Sequence, residues 1–205
     1  MGFWRTYRLR LQRKRWLIRA FRKRRELKAI LNRTAAIKPG DILLFCTQRN
    51  EHVRHPYFLK YYRDMGVNHF LIVDNDSTDG SLDYLADQPD VSVWHTKASY
   101  KRSRFGVDWL NWLQRKYGHG HWTLVVDPDE FLIYPFSDTR PLRALTDWLD
   151  ASSIKSFSAM LLDMYPKGRI DEQPFLEQDR IGKRPTGTGV DAHRHQLADG
   201  ADIDQ

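Results

Sequence analysis

The chain reads as an α/β protein with a mainly parallel sheet flanked by helices and preceded by a basic helix. Three observations carry that reading. Short continuous apolar runs, the pattern of strands buried on both faces, recur along the chain. Helix-patterned segments separate them, with short connections. Polar clusters follow three of the apolar runs, where open α/β sheets collect ligands.

Taken in order, residues 3–32 lack proline and are rich in Arg, Leu and Lys, which predicts a helix. Trp4, Tyr7, Leu11 and Ile18 fall on one side of it, and Leu9, Trp16 and Leu27 on nearly the opposite side. Lys38-Pro39-Gly40 reads as a linker turn. Asp41–Thr47 is a buried parallel strand. Residues 55–65 form a helix with Pro56 in its first turn and Gly66 closing it. His69–Val73 is a second strand, Ser81–Ala86 a short helix and Val91–His95 a third strand. Residues 101–117 form a helix with Trp109, Trp112 and Leu113 inward, ending at Gly118. Leu124–Val126 is a buried fourth strand, Pro141–Leu149 a helix and Ser156–Leu162 a fifth strand. Residues 182–205 have no aromatic residue and few apolar ones, so a polar, disordered tail is expected.

Composition divides the chain. Residues 1–40 hold 14 Lys/Arg and one acid, a net of +13, whereas residues 41–205 carry a net of −6. Three segments follow: a basic arm (1–40), an α/β domain (41–175) and a polar tail (176–205). The arm suits an anionic membrane surface, and a nucleic-acid backbone is the less favoured partner. The single cysteine, Cys46, excludes an internal disulfide and favours a reducing compartment. No run approaches 18 apolar residues, so no spanning helix is expected. The expected location is cytoplasmic, with the arm able to hold the protein peripherally at the inner membrane.

Thr47-Gln48-Arg49-Asn50-Glu51 follows the first strand of this domain. Asp74-Asn75-Asp76-Ser77-Thr78-Asp79-Gly80-Ser81 follows the second. Asp127-Pro128-Asp129-Glu130 follows the fourth. Asp127 and Asp129 are two residues apart and share one side of an extended strand. Carboxylates that close repel unless a cation sits between them. Hard oxygen ligands suit Mg²⁺ or Mn²⁺, with positions left open for substrate phosphates. The alternative is an acidic turn formed by Pro128. An EF-hand loop counted from Asp74 fails, because glycine falls at position 7 and Leu85 at position 12. No glycine-rich dinucleotide loop or P-loop is present. His119 and His121 lack a nearby third zinc ligand.

With these residues in place, the chain resembles family 2 glycosyltransferases of the GT-A fold. The Asp74–Ser81 turn is similar to their acidic Ser-Thr-Asp-Gly turn, and Val126–Phe131 to their Asp-x-Asp metal motif. Arg49-Asn50-Glu51 and Pro56–Val67 resemble a bacterial subgroup. The likeness covers roughly residues 41–165. It implies a metal-dependent transferase moving a sugar from a nucleotide-diphosphate donor to a glycan or lipid-linked acceptor in surface polysaccharide synthesis. It also implies that Thr47, Arg49, Asn50 and Glu51 line the donor's base and ribose, and that Asp74 or Asp76 contacts the base. Asp127 and Asp129 would bind ribose and the Mg²⁺ or Mn²⁺ ion, with Glu130 orienting a ligand. Arg104 is a candidate phosphate contact, a solvated arginine being the alternative. A general base would come from Asp163, Glu172, Glu177 or Asp179, none of which carries a distinctive motif. The acceptor half is expected to be incomplete, as in a C-terminally truncated transferase. An inactive transferase fragment, or a nucleic-acid- or membrane-associated basic protein, is the rival reading.

Overall fold

The computed structural model describes residues 3–162. Its first parallel strand is β2 (Ile42–Gln48), whose seven residues are all buried. Parallel to β2 run β3 (His69–Asp74) and then β4 (Val91–His95) on one side, and β5 (Trp122–Val125) on the other. An antiparallel strand, β1 (Lys28–Leu31), closes the far edge, giving the order β1-β4-β3-β2-β5. The chain builds outward from β2 to β4 and then crosses back to β5, so strand order reverses between β2 and β5.

Period-2 alternation distributes the apolar side chains to two cores. Ile42, Leu44, Cys46, Phe70 and Ile72 face α2 (His55–Met65), α3 (Ser81–Ala86) and the start of α5 (Leu142–Ala151). Leu43, Phe45, Leu71, Val73 and Trp94 face Trp109, Leu110 and Leu113 of α4 (Val107–Tyr117). Each such side chain contributes about 1.5–3 kcal/mol on burial. Covering both faces is what the continuous apolar runs require. Gly66 ends α2 in the left-handed region at φ 101°, and its amide with that of Val67 satisfies carbonyls of the last turn.

Four expected elements differ. The N-terminal helix, α1 (Phe3–Lys23), stops well before residue 32, and Lys28–Leu31 enters the sheet as β1. Its register is set by pairing with β4, which outweighs local propensity. The helix expected over 101–117 begins at Val107. Arg104, Phe105 and Gly106 all adopt positive φ and break it from a single 3-10 turn at Lys101–Ser103. β5 is an edge strand, half-buried rather than buried, with Val125 exposed. Ser156–Leu162 forms no strand and is exposed throughout. The polar tail at 176–205 lies outside the described residues.

The basic helix is docked by specific contacts. Ala20 is buried, Leu17 is half-buried, and Phe21 meets Trp112 edge-on at 5.7 Å. Arg19 donates to the wholly buried Asp108 at 2.6 Å. Trp109 donates its indole N–H to Glu26 at 2.9 Å. Residues Met1–Met160 gather into one compact unit.

His55, at the start of α2, is buried with both ring nitrogens unpartnered among the described residues, and it stacks on Tyr84. Burial depresses it from 6.5 to about 4. The folded state therefore holds the neutral ring, and its stabilisation is full above pH 6.5. Between pH 6.5 and about 4 the loss is on the order of 3 kcal/mol. Urea titrations across that window should show this decline in the native chain and a flatter profile in His55→Leu. Parallel profiles would contradict the assignment.

Candidate functional site

Parallel register brings Gln48, Asp74 and His95 into one row across the carboxyl ends of β2, β3 and β4. Asp74 is wholly buried. One of its carboxylate oxygens accepts from Gln48 Nε2 at 2.5 Å. The other meets His95 Nδ1 at 2.9 Å and the Ser77 amide at 3.3 Å. A buried carboxylate is tolerated only with such partners. Asp74 thus ties three strand ends together and exposes no surface to water. Asp76, next along, is left-handed at φ 61° and partly open. Its carboxylate lies 3.7 Å from His95 Nε2 and 3.5 Å from Lys97 Nζ.

The loops after β2 and β3 lock to each other. The Asn50 amide donates to Ser77 Oγ at 2.9 Å, and Asn50 Oδ1 accepts from the Thr78 amide at 2.8 Å. Asp79 accepts from the His52 amide and from Ser81. Partial burial works to raise the Asp79 carboxyl, but these hydrogen bonds hold it below the ordinary aspartate range. Arg49 is exposed, and Glu51 pairs with Arg54. Thr47 is buried, and its hydroxyl faces Gly106. A Cβ there would stand 2.6 Å from Thr47 Oγ1, so a glycine with φ 79° is required.

The third cluster behaves differently. The Val126 amide donates to the Phe45 carbonyl at 3.3 Å, which carries the chain past the end of β5 beside β2. Asp127 and Asp129 are then exposed, and the Asp127 amide donates to the Glu130 carboxylate at 2.9 Å. From α2, the Tyr62 hydroxyl donates to the Glu130 carbonyl and accepts from the Leu132 amide, fixing the acidic loop. Among the described residues no Lys or Arg forms an ion pair with Asp127, Asp129 or Glu130. Loss of surrounding water, then the negative fields of Glu130, Asp129 and Glu51, raise the Asp127 carboxyl above its ordinary range. As a residue Asp127 stays exposed, so we give the carboxylate crowding the greater weight. Burial, with the fields of Asp127, Cys46 and Asp129, also raises the Tyr100 hydroxyl.

Four carboxylates thus share a field at the β2/β5 reversal, the crevice where open α/β sheets bind ligands. Among the described residues no three His, Cys, Asp or Glu side chains converge as a metal cage. Mg²⁺ and Mn²⁺ do not need one, because one or two carboxylates, water and a substrate diphosphate complete their shell. Oxygen donors, negative crowding and the lack of an ion-paired cation at Asp127, Asp129 and Glu130 among the described residues fit that kind of shared ion, whereas Glu51 is already paired with Arg54. His121 Nδ1 lies 3.0 Å from the Asp41 carbonyl, and His119 is exposed.

Arg104 does not point at this patch. It grips Asp108 through Nε at 2.9 Å and through its terminal nitrogen, and lies over the Trp16 ring. Asp163, Glu172, Glu177 and Asp179 lie outside the described residues. Sequence reasoning missed His95, Tyr62 and Tyr100. The signal available was their position: His95 at a strand end, Tyr62 near the end of α2 and Tyr100 in the segment after β4. No known family profile matches this chain, and neither does any curated protein.

Two carboxylate substitutions should move stability in opposite directions. Asp74→Ala leaves buried Gln48 and half-buried His95 and Ser77 without their acceptor and should cost about 3 kcal/mol by urea unfolding. Asp127→Asn removes a repelled charge. A raised folded-state value means that ionised Asp127 opposes folding at neutral pH, so this variant should melt higher than the native chain. A lower melting temperature for Asp127→Asn would contradict the crowding.

Proposed function

We propose that the chain binds a nucleotide-diphosphate sugar at the β2/β5 crevice and serves transfer of the sugar to a glycan or lipid-linked acceptor. The observation that carries this reading is the group Asp127, Asp129, Glu130 and Glu51. They lie near one another where strand order reverses, and loss of surrounding water together with the fields of Glu130, Asp129 and Glu51 raises the Asp127 carboxyl. The resemblance to family 2 glycosyltransferases of the GT-A fold supports it, through the Asp74–Ser81 turn and the Asp127–Glu130 motif.

In this reading Asp127 and Asp129 hold Mg²⁺ or Mn²⁺ against the donor diphosphate. The ion would supply charge neutralisation as the diphosphate leaves. Glu130 fixes the Asp127 backbone, and Tyr62 fixes Glu130. Asp76, open beside His95 and Lys97, is favoured over buried Asp74 to accept from a nucleoside base. Exposed Arg49 and half-buried Glu51 flank the same opening. Arg104 is given no role with the donor, because Asp108 and Trp16 already engage it.

Calorimetric titration of the full chain with UDP, GDP and TDP, with and without Mn²⁺, tests the proposal. Binding should require Mn²⁺ and should weaken about tenfold or more in Asp127→Ala. Protons compete with the cation for the raised Asp127 carboxyl, so affinity should be greatest above that value and fall as pH drops through it. No binding of any of the three nucleotides, with Asp127→Ala indistinguishable from the native chain, would refute the proposal.

A further inference from the structure

A second surface stands apart from the donor-site reading. Helix α1 carries nine Lys/Arg and no acid over Phe3–Lys23. Its docked side is marked by Ala20, which is buried, and Leu17, which is half-buried. At about 100° per residue, Trp4, Tyr7, Leu11 and Ile18 fall on the side roughly opposite Ala20. Their exposures are 79%, 49%, 43% and 53%. Arg8, Lys14, Arg15 and Arg22 flank this stripe at the same spacing. Beside its lower end lies a groove of about 750 Å³, lined by Arg15, Ile18, Arg19, Arg22, Lys23 and Arg102, with Glu26 its one acid.

We propose that this face of α1 lies in the interface of an anionic phospholipid bilayer. Tyr7, Leu11, Ile18 and Trp4 would enter the acyl boundary, and the arginine groove would receive lipid phosphates. The charge complementarity is strong, because one helix face presents only cations and apolar groups. A nucleic-acid backbone would satisfy the arginines but would have no use for an aliphatic and aromatic stripe running along the helix between them. The docking contacts make the binding face rigid: Arg19 is held by Asp108 and by the Arg102 carbonyl, and Phe21 by Trp112. The helix is therefore seated on α4 before it meets the bilayer. Its insertion depth is set by exposed side chains whose removal leaves the docked side intact.

Vesicle co-sedimentation of the full chain tests this. Phosphatidylcholine vesicles are compared with phosphatidylcholine vesicles containing phosphatidylglycerol. Three proteins are used: the native chain, the triple variant Tyr7→Ser/Leu11→Ser/Ile18→Ser, and the charge variant Lys14→Glu/Arg15→Glu. All the substituted residues are exposed, and circular dichroism checks that each variant stays folded. The native chain should bind the phosphatidylglycerol vesicles and not the neutral ones, and each variant should lose about tenfold or more in partitioning. Three results would overturn the proposal: no binding to anionic vesicles, equal binding to neutral vesicles, or full retention of binding by the triple variant. Duplex DNA or RNA bound more tightly than vesicles, with no effect of the triple variant, would also overturn it and identify the helix as a nucleic-acid contact.

Discussion

Asp74 sits at the carboxyl end of β3, the middle strand of the five, with no exposure to water. A carboxylate in that position must be met by donors on both oxygens, or the strand end cannot be buried. Gln48 from β2, His95 from β4 and the Ser77 amide meet it. Because Asp74 on β3 and its partners on β2 and β4 span three strands, their demand fixes those strand ends relative to one another. The next residues of the β2 and β3 loops then close on each other through Asn50, Ser77, Thr78 and Asp79. One polar hub thus makes a rigid floor out of segments that would otherwise be surface loops.

The acidic loop after β5 uses the same residue types to the opposite end. Its carboxylates are not matched by donors in this way. Asp127 instead has other carboxylates for neighbours, and the loop is held in place through its backbone by Glu130 and Tyr62. Holding charge together without neutralising it costs stability, and sites that bind cations or polarise substrates commonly carry that cost. Saturated carboxylates at Asp74 and Asp108 build the molecule, whereas Asp127 and Asp129 form no ion pair with a Lys or Arg among the described residues, and the proposed function uses them for a ligand-borne cation.

Local pattern made much of the fold legible. The bounds of α2, α3 and β4 agree with their apolar spacing, with Pro56 and Gly66 marking α2. What local pattern could not show depends on distant partners. β1 is short and mostly exposed, and its pairing with β4 makes it a strand. The helix at 101–117 loses its first turn because Gly106 must pass close to Thr47, which is 59 residues earlier in the chain. Asp74 and Asp127 look alike as acids after strands. Their difference comes from Gln48 and His95, which only the parallel register brings to Asp74. The acidic loop itself was visible as a motif, whereas the Tyr62 and Tyr100 beside it read as core and loop residues.

Paramagnetic broadening of backbone amide signals by Mn²⁺ locates a bound cation directly. Adding Mn²⁺ with UDP to the isotope-labelled chain should broaden first the amides of Asp127–Glu130, then those of Glu51 and Tyr100, leaving α1 sharp. An unoccupied carboxylate patch, with broadening absent there or concentrated elsewhere on the surface, would contradict the claim that these carboxylates are held apart from any partner for a ligand-borne cation.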